Sequence, residues 1–227
     1  DYLRRINLGE KVFLGDRVAV IGGGNVAMDA VRTAVRTGSK EVFILYRRSR
    51  AEMPASPEEI EEAIEEGIRM EFLVAPVRIL GENGKVKAIE CLRIELGEPD
   101  ASGRRRPVPI KGSEFTIPVN AVVPAIGQAA DLTFLPKESG IAINRWNTLE
   151  VDPVTFATSV PGVFAGGDNV TGPATVVKAV YAGKEAALSI DRYLKGEDVA
   201  LGRARDWTRD LADKADVSQT AKAPRAA

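Results

Sequence analysis

The segment Val18-Ala-Val-Ile-Gly-Gly-Gly-Asn-Val-Ala27 constrains this chain more than any other. A short β-branched apolar run breaks into a glycine turn of form G-x-G-x-x-A (Gly22, Gly24, Ala27) and then into helix-forming sequence. Strand, turn and helix in that order make a dinucleotide cradle. Gly22 supplies the tight turn and Gly24 lets the backbone approach a pyrophosphate. The helix opening near Asn25 and Val26 offers unpaired N–H groups and a positive dipole end to the phosphates. A glycine turn alone is weak evidence, because such turns precede many helices. A second apolar strand, Glu41-Val-Phe-Ile-Leu-Tyr46, follows at βαβ spacing and strengthens it.

The residues after that second strand bear on which nucleotide is bound. An NAD site usually carries an acid there for the ribose hydroxyls, whereas this chain has Arg47 and Arg48. Two guanidinium forks suit a 2′-phosphate and leave the acid's role unfilled, which points to NADP(H). A solvated strand end is the plain alternative. NAD(H) also stays open, since an arginine there can lie across an adenine.

Composition removes other chemistries. The 227 residues allow one large or two small domains, and 31 basic against 32 acidic side chains create no field that favours nucleic acid or an anionic membrane. No apolar run reaches membrane-spanning length, so membrane insertion is not expected. With no histidine and one cysteine, the chain has no Ser-His or Cys-His pair, no histidine metal site, no C-x-x-C pair and no iron–sulfur ligand set of its own. Cys91 sits in an alternating strand and reads as core. Hydride transfer survives this filter, because there the cofactors carry the chemistry. A cytoplasmic setting is the default. The chain opens at Asp1 without a methionine, which suggests a piece of a longer polypeptide.

Along the chain, 1–17 reads as a connector. The first long helix puts Ala27, Ala30, Val31 and Ala34 on one face and stops at Gly38. Ser56-Pro-Glu-Glu59 is a capping box opening a second helix with Ile60, Ala63 and Ile64 inward. The period then shortens to two: 70–75 reads as a strand, 77–80 and 86–96 flank an Asn83-Gly84 turn, and 97–109 reads as a polar hairpin tip. Strands follow at 115–117 and 121–123. A last apolar strand ends at Gly166-Gly167-Asp168. The helix after Gly172 shows Val176, Val180, Gly183, Ala187, Ile190 and Leu194 at alternating steps of four and three. Residues 197–227 read as a weakly ordered tail.

Together, Gly22-Gly-Gly-Asn-Val-Ala-Met-Asp29, Tyr46-Arg-Arg-Ser-Arg50, Met53-Pro-Ala55, Gly97-Glu-Pro-Asp100, Gly103-Arg-Arg-Arg-Pro107, Ala125-Ile-Gly-Gln128, Gly162-Val-Phe-Ala-Gly-Gly-Asp168 and Gly172-Pro-Ala-Thr175 resemble one family. It is the glutamate synthase small-subunit-like group of FAD/NAD(P)-dependent oxidoreductases, related to the pyridine nucleotide-disulfide oxidoreductases. The resemblance implies an α/β fold: a three-layer Rossmann-type NAD(P)-binding domain over 18–128 with a β-meander crossover, then the C-terminal part of an FAD-binding domain over 129–196. It implies that Gly167 and Asp168 hold the flavin ribityl chain, and that amides near Thr175 and Val176 face the N1/O2 edge of the flavin. It also implies that Ala125 to Gln128, with Ile126 and Gly127 between them, form the crossover from the nucleotide domain back to the flavin domain. Family members carry a first FAD unit upstream, with its own glycine turn. Here the single such turn, at Gly22, is assigned to NADP(H), so FAD finds only its flavin-side half-site.

The expected function is therefore a fragment or subunit of an FAD-dependent NAD(P)H oxidoreductase, with iron–sulfur centres or a flavin domain supplied upstream or by a partner, and oligomers within a larger redox complex. No catalytic side chain is nominated. The competing reading is a nucleotide-binding or docking subunit that is not catalytic alone. A disulfide reductase is disfavoured, because its redox pair is absent.

Overall fold

The computed structural model describes residues 1–100 and 103–203, and the chain divides after Ile126 into two compact units. Most of the expected tail lies outside the described residues.

The first unit is built on four parallel strands. β1 (Arg17–Ile21) and β2 (Glu41–Tyr46) pair in register from Arg17↔Glu41 to Ile21↔Leu45. β3 (Arg69–Phe72) adds beyond β2, and β8 (Ala121–Pro124) adds on the free edge of β1, giving the order β3-β2-β1-β8. The interior strands β1 and β2 are near-continuous apolar runs because both faces of the sheet are covered. On one face lie α2 (Asn25–Arg36) and α3 (Pro57–Glu65), with Val18, Val20, Met28, Val31, Ile44 and Ile60 in one buried cluster. On the other face Ala19, Phe43 and Leu45 meet Val74, Ile89, Cys91 and Val119. Those come from an antiparallel layer of β4 (Val74–Glu82), β5 (Lys85–Pro99), β6 (Arg105–Pro109) and β7 (Phe115–Pro118) with its flanking residue. Helices, parallel sheet and meander are the three layers of the expected α/β fold.

Several local expectations need correction. The stretch 1–17 contains a helix, α1 (Tyr2–Asn7), whose Tyr2 hydroxyl lies 3.2 Å from Thr37 Oγ1 beside the end of α2. The strand expected over 70–75 is two strands, because Leu73 takes φ +56°; β3 joins the parallel sheet and β4 leaves for the other layer. The polar tip expected over 97–109 is shorter, since β5 runs to Pro99 and β6 begins at Arg105. At Ser56 the side chain accepts from the Glu59 amide at 3.3 Å, which is one half of the expected capping box.

The second unit holds short bridges, Ile143↔Leu149, Val151↔Thr158 and Ala157↔Phe164, followed by α4 (Asp168–Thr171) and α5 (Val176–Lys195). The evenly spaced stripe of α5 is not its buried face. Val176, Val180, Ile190 and Leu194 are exposed, as are Gly183 and Ala187. The buried positions are Ala182 and Ser189. Gly166 approaches so closely that a Cβ on it would lie 2.9 Å from the Ala182 Cβ, and Ser189 Oγ donates to the Thr155 carbonyl at 2.6 Å. Small residues are needed where the backbone comes this near, so the large ones point elsewhere. Gly196 ends the helix in the left-handed conformation, as expected.

Candidate functional site

The glycine turn stands at the carboxyl ends of β1, β2 and β8. Ligands of open parallel sheets bind outside this edge, where neighbouring strands lead their connections in opposite directions. The Gly22 N–H donates to the Leu45 carbonyl at 3.1 Å and the Ala125 N–H to the Ile21 carbonyl at 2.8 Å, so the turn is fixed from both sides.

The three glycines serve different purposes. Gly22 has φ +142°, and a Cβ there would lie 2.3 Å from the Ala125 carbonyl oxygen. A Cβ on Gly23 would lie 2.7 Å from Cε2 of the Tyr46 ring. Gly24, the N-cap of α2, has φ −95°, and its Cβ would meet only Pro54 Cγ at 3.7 Å, an ordinary contact. The protein's own packing therefore requires the first two glycines and leaves room at the third. That room lies beside the first amides of α2, Asn25 and Val26, which have no intrahelical acceptor. Val26 is exposed, while Ala27 is fully buried against the sheet. This geometry fits a pyrophosphate lying over Gly24.

The polar loop after β2, to which the sequence pattern assigned no site role, completes the rim. Ser49 caps a short 3₁₀ turn, Arg50–Glu52, in a reciprocal box: the Glu52 carboxylate accepts from the Ser49 hydroxyl at 2.6 Å and the Ser49 N–H at 3.0 Å. Those bonds hold the Glu52 carboxyl below the usual range. The Tyr46 hydroxyl donates to the Glu52 carbonyl at 2.7 Å. Further along, the Ala55 N–H donates to the Gly23 carbonyl at 3.1 Å, and the Ser56 N–H to Asn25 Oδ1 at 3.1 Å. The signal was present as Ser-x-x-Glu over 49–52.

At the end of β2 the two arginines diverge. Arg47 is exposed and makes no hydrogen bond or ion pair with the described residues. Arg48 is buried, its Nη2 donating to Asp100 Oδ2 at 2.8 Å and its Nε to the Arg105 carbonyl at 2.7 Å. Cys91 is also buried, and burial pushes its thiol up to about 11, so it is a core residue rather than a nucleophile.

The remaining expected site residues follow β8. Ile126, Gly127 and Gln128 are exposed. In the second unit, Gly167 (φ +71°) turns the chain into α4, and Asp168 Oδ1 accepts from the Ala174 N–H at 3.3 Å. This bond gathers Gly167, Asp168, Thr175 and Val176 into one cluster. The Leu149 N–H reaches the Asn169 carbonyl at 2.7 Å and ties that cluster to the bridged segment. Thr175 is the N-cap of α5 without a side-chain cap bond, so the first amides of a 20-residue helix are left to another acceptor. Among the described residues no group of His, Cys, Asp and Glu is placed to hold a metal.

Fold and site together define a two-unit α/β protein whose first unit is a Rossmann-type nucleotide cradle. The chain belongs to the pyridine nucleotide-disulphide oxidoreductase family, whose model matches residues 2–183. It is 56% identical over 195 residues to the NADP(+)-dependent formate dehydrogenase subunit beta of Moorella thermoacetica, covering 86% of this chain and 27% of that one. It is 43% identical over 185 residues to the glutamate synthase [NADPH] small chain of Escherichia coli, covering 80% and 39%. The crystal structure of T. acidophilum thioredoxin reductase matches with a TM-score of 0.63 at 26% identity, covering 79% of this chain and 52% of that one. The chain thus spans well under half the length of these two curated relatives.

Proposed function

We propose that this chain is the nucleotide-binding and flavin-contacting part of an FAD-dependent NADPH oxidoreductase that passes electrons to a partner. The observation that carries the reading is the room at Gly24, which the protein's own packing does not need, beside the uncapped start of α2 and the unpartnered guanidinium of Arg47. The names of the relatives support NADP(H) as the nucleotide. FAD held by Gly167, Asp168, Thr175 and Val176 would supply the hydride acceptor for a reduced nicotinamide held at Gly24, Asn25 and Val26.

The chain's residues bind and orient. Gly24, Asn25 and Val26 offer amides to the pyrophosphate, and Arg47 provides donors to the 2′-phosphate. Gly167, Asp168, Thr175 and Val176 offer a carboxylate and free amides to the flavin side, where a helix start favours the negative charge of the reduced ring. The hydride step needs no side-chain acid or base, only alignment and exclusion of water. The exposed stripe of α5 (Val176, Val177, Val180, Ile190, Leu194) is the surface for the complementary flavin domain or subunit.

Hydrogen–deuterium exchange of the chain with each ligand tests this. NADPH should slow exchange at residues 23–28 and 47–56, and FAD at 166–177. Unchanged exchange at 23–28 with saturating NADPH would refute the nucleotide assignment.

A further inference from the structure

The two arginines after β2 are consecutive in sequence but not equivalent in place. The Arg48 side chain is only 7% exposed, and its guanidinium is shared between the Asp100 carboxylate and the Arg105 carbonyl. The backbone around it is woven into the antiparallel layer: the Leu73 N–H donates to the Arg48 carbonyl at 3.2 Å, and the Ile94 N–H to the Leu73 carbonyl at 2.8 Å. Arg105 in turn donates to the Gly97 carbonyl at 3.2 Å and to the Leu96 carbonyl, closing β6 on β5. Arg105 also contributes to holding the Glu52 carboxyl low, which places its charge near the rim of the nucleotide site.

We propose that Asp100 and Arg48 form a clip that fastens the β5–β6 end to the end of β2, leaving Arg47 as the strand-end arginine that receives the 2′-phosphate. The proposal rests on the NADP(H) reading above and divides a role first given to both arginines. Arg48 and Asp100 are positioning residues in this account. A phosphate dianion recruiting Arg48 would have to displace Asp100 and then sit beside the abandoned carboxylate. Like charges placed side by side repel, and the charge-assisted bond from Arg48 to Asp100 would be lost. Arg47 carries no such cost, because its donors face solvent.

Two probes isolate the phosphate: adenosine 2′,5′-bisphosphate and AMP, titrated into the full chain by calorimetry, with tryptic cleavage after Arg104 and Arg105 as a second readout. Arg47→Ala should weaken the bisphosphate about tenfold or more and leave AMP unchanged. Arg48→Ala and the milder Asp100→Asn should keep the preference for the bisphosphate within about twofold of wild type while speeding cleavage. Asp100→Asn keeps the case decidable if Arg48→Ala does not fold. Loss of the preference in Asp100→Asn or Arg48→Ala, or unchanged cleavage in Asp100→Asn, would overturn the clip. A wild-type chain that binds both probes equally would instead refute the NADP(H) reading, and with it the role of Arg47; the cleavage rates would still decide the clip.

Discussion

At the scale of single residues, the glycine turn separates what folding needs from what a ligand needs. Gly22→Ala puts a Cβ 2.3 Å from the Ala125 carbonyl at a positive φ, so it should cost about 2 kcal/mol or more and lower the melting temperature by several degrees. Gly24→Ser introduces a favoured N-cap at an unstrained φ. It should leave the melting temperature unchanged or raised while weakening NADPH about tenfold, read by paired thermal melts and titrations. Equal effects on stability from both variants would contradict this division. The motif itself was plain in the sequence because each glycine answers to local geometry. The fate of Arg48 was not, since its partner Asp100 lies 52 residues away and reaches it only through the fold of the meander. Asp100 stood inside a quoted motif, but a motif states no distance.

Elements follow the same rule. The apolar runs of β1 and β2 announce strands buried on both faces, and Asn83-Gly84, both at positive φ, announces the β4–β5 hairpin. Which face of α5 is covered was not legible, because the periodic large residues and the small ones at 182 and 189 make equally good stripes. The choice is made by the close approach of Gly166. Ala182→Leu should therefore destabilise by about 1–3 kcal/mol, whereas Val180→Lys should shift stability by less than about 0.5 kcal/mol in denaturant melts. A comparable loss from Val180→Lys would reinstate the periodic face as core. Between α2 and α3, Arg32 Nε and Arg36 Nη2 donate to Glu66 Oε1 at 2.9 and 2.7 Å, and Arg32 also pairs with Glu62 at 2.8 Å. The bond from Arg32, then that from Arg36, holds the Glu66 carboxyl below its ordinary value. A depressed carboxyl stabilises the fold above its unfolded pKa, about 4.3, and that contribution fades as pH falls through the native value. Glu66→Gln should thus narrow the stability difference from wild type below pH 4 and leave it widest near neutrality, measured by urea unfolding against pH. A difference constant from pH 7 to pH 3 would contradict the pairing.

On the scale of the whole molecule, the proposed roles fall in two units: a nucleotide cradle in the first, and in the second a cluster around Asp168 and the start of α5. The first cluster was visible in sequence as a glycine-rich strand end; the second was visible as Gly166-Gly167-Asp168, but the strand expected before it is reduced to the isolated bridge Ala157↔Phe164. The loop over 49–56 was legible as a polar loop but its place at the rim was not, because its lacing to Gly23 and Asn25 joins residues whose spacing carries no periodicity. α5 leaves an apolar stripe exposed, and the chain covers 27% of the length of the formate dehydrogenase subunit it matches. The central claim nevertheless rests on the first unit alone. Calorimetric titration of the wild-type chain with NADPH and with NADH tests it most directly. One NADPH site per chain is expected, bound about tenfold or more tightly than NADH. Equal affinities, or no binding of either nucleotide, would contradict it.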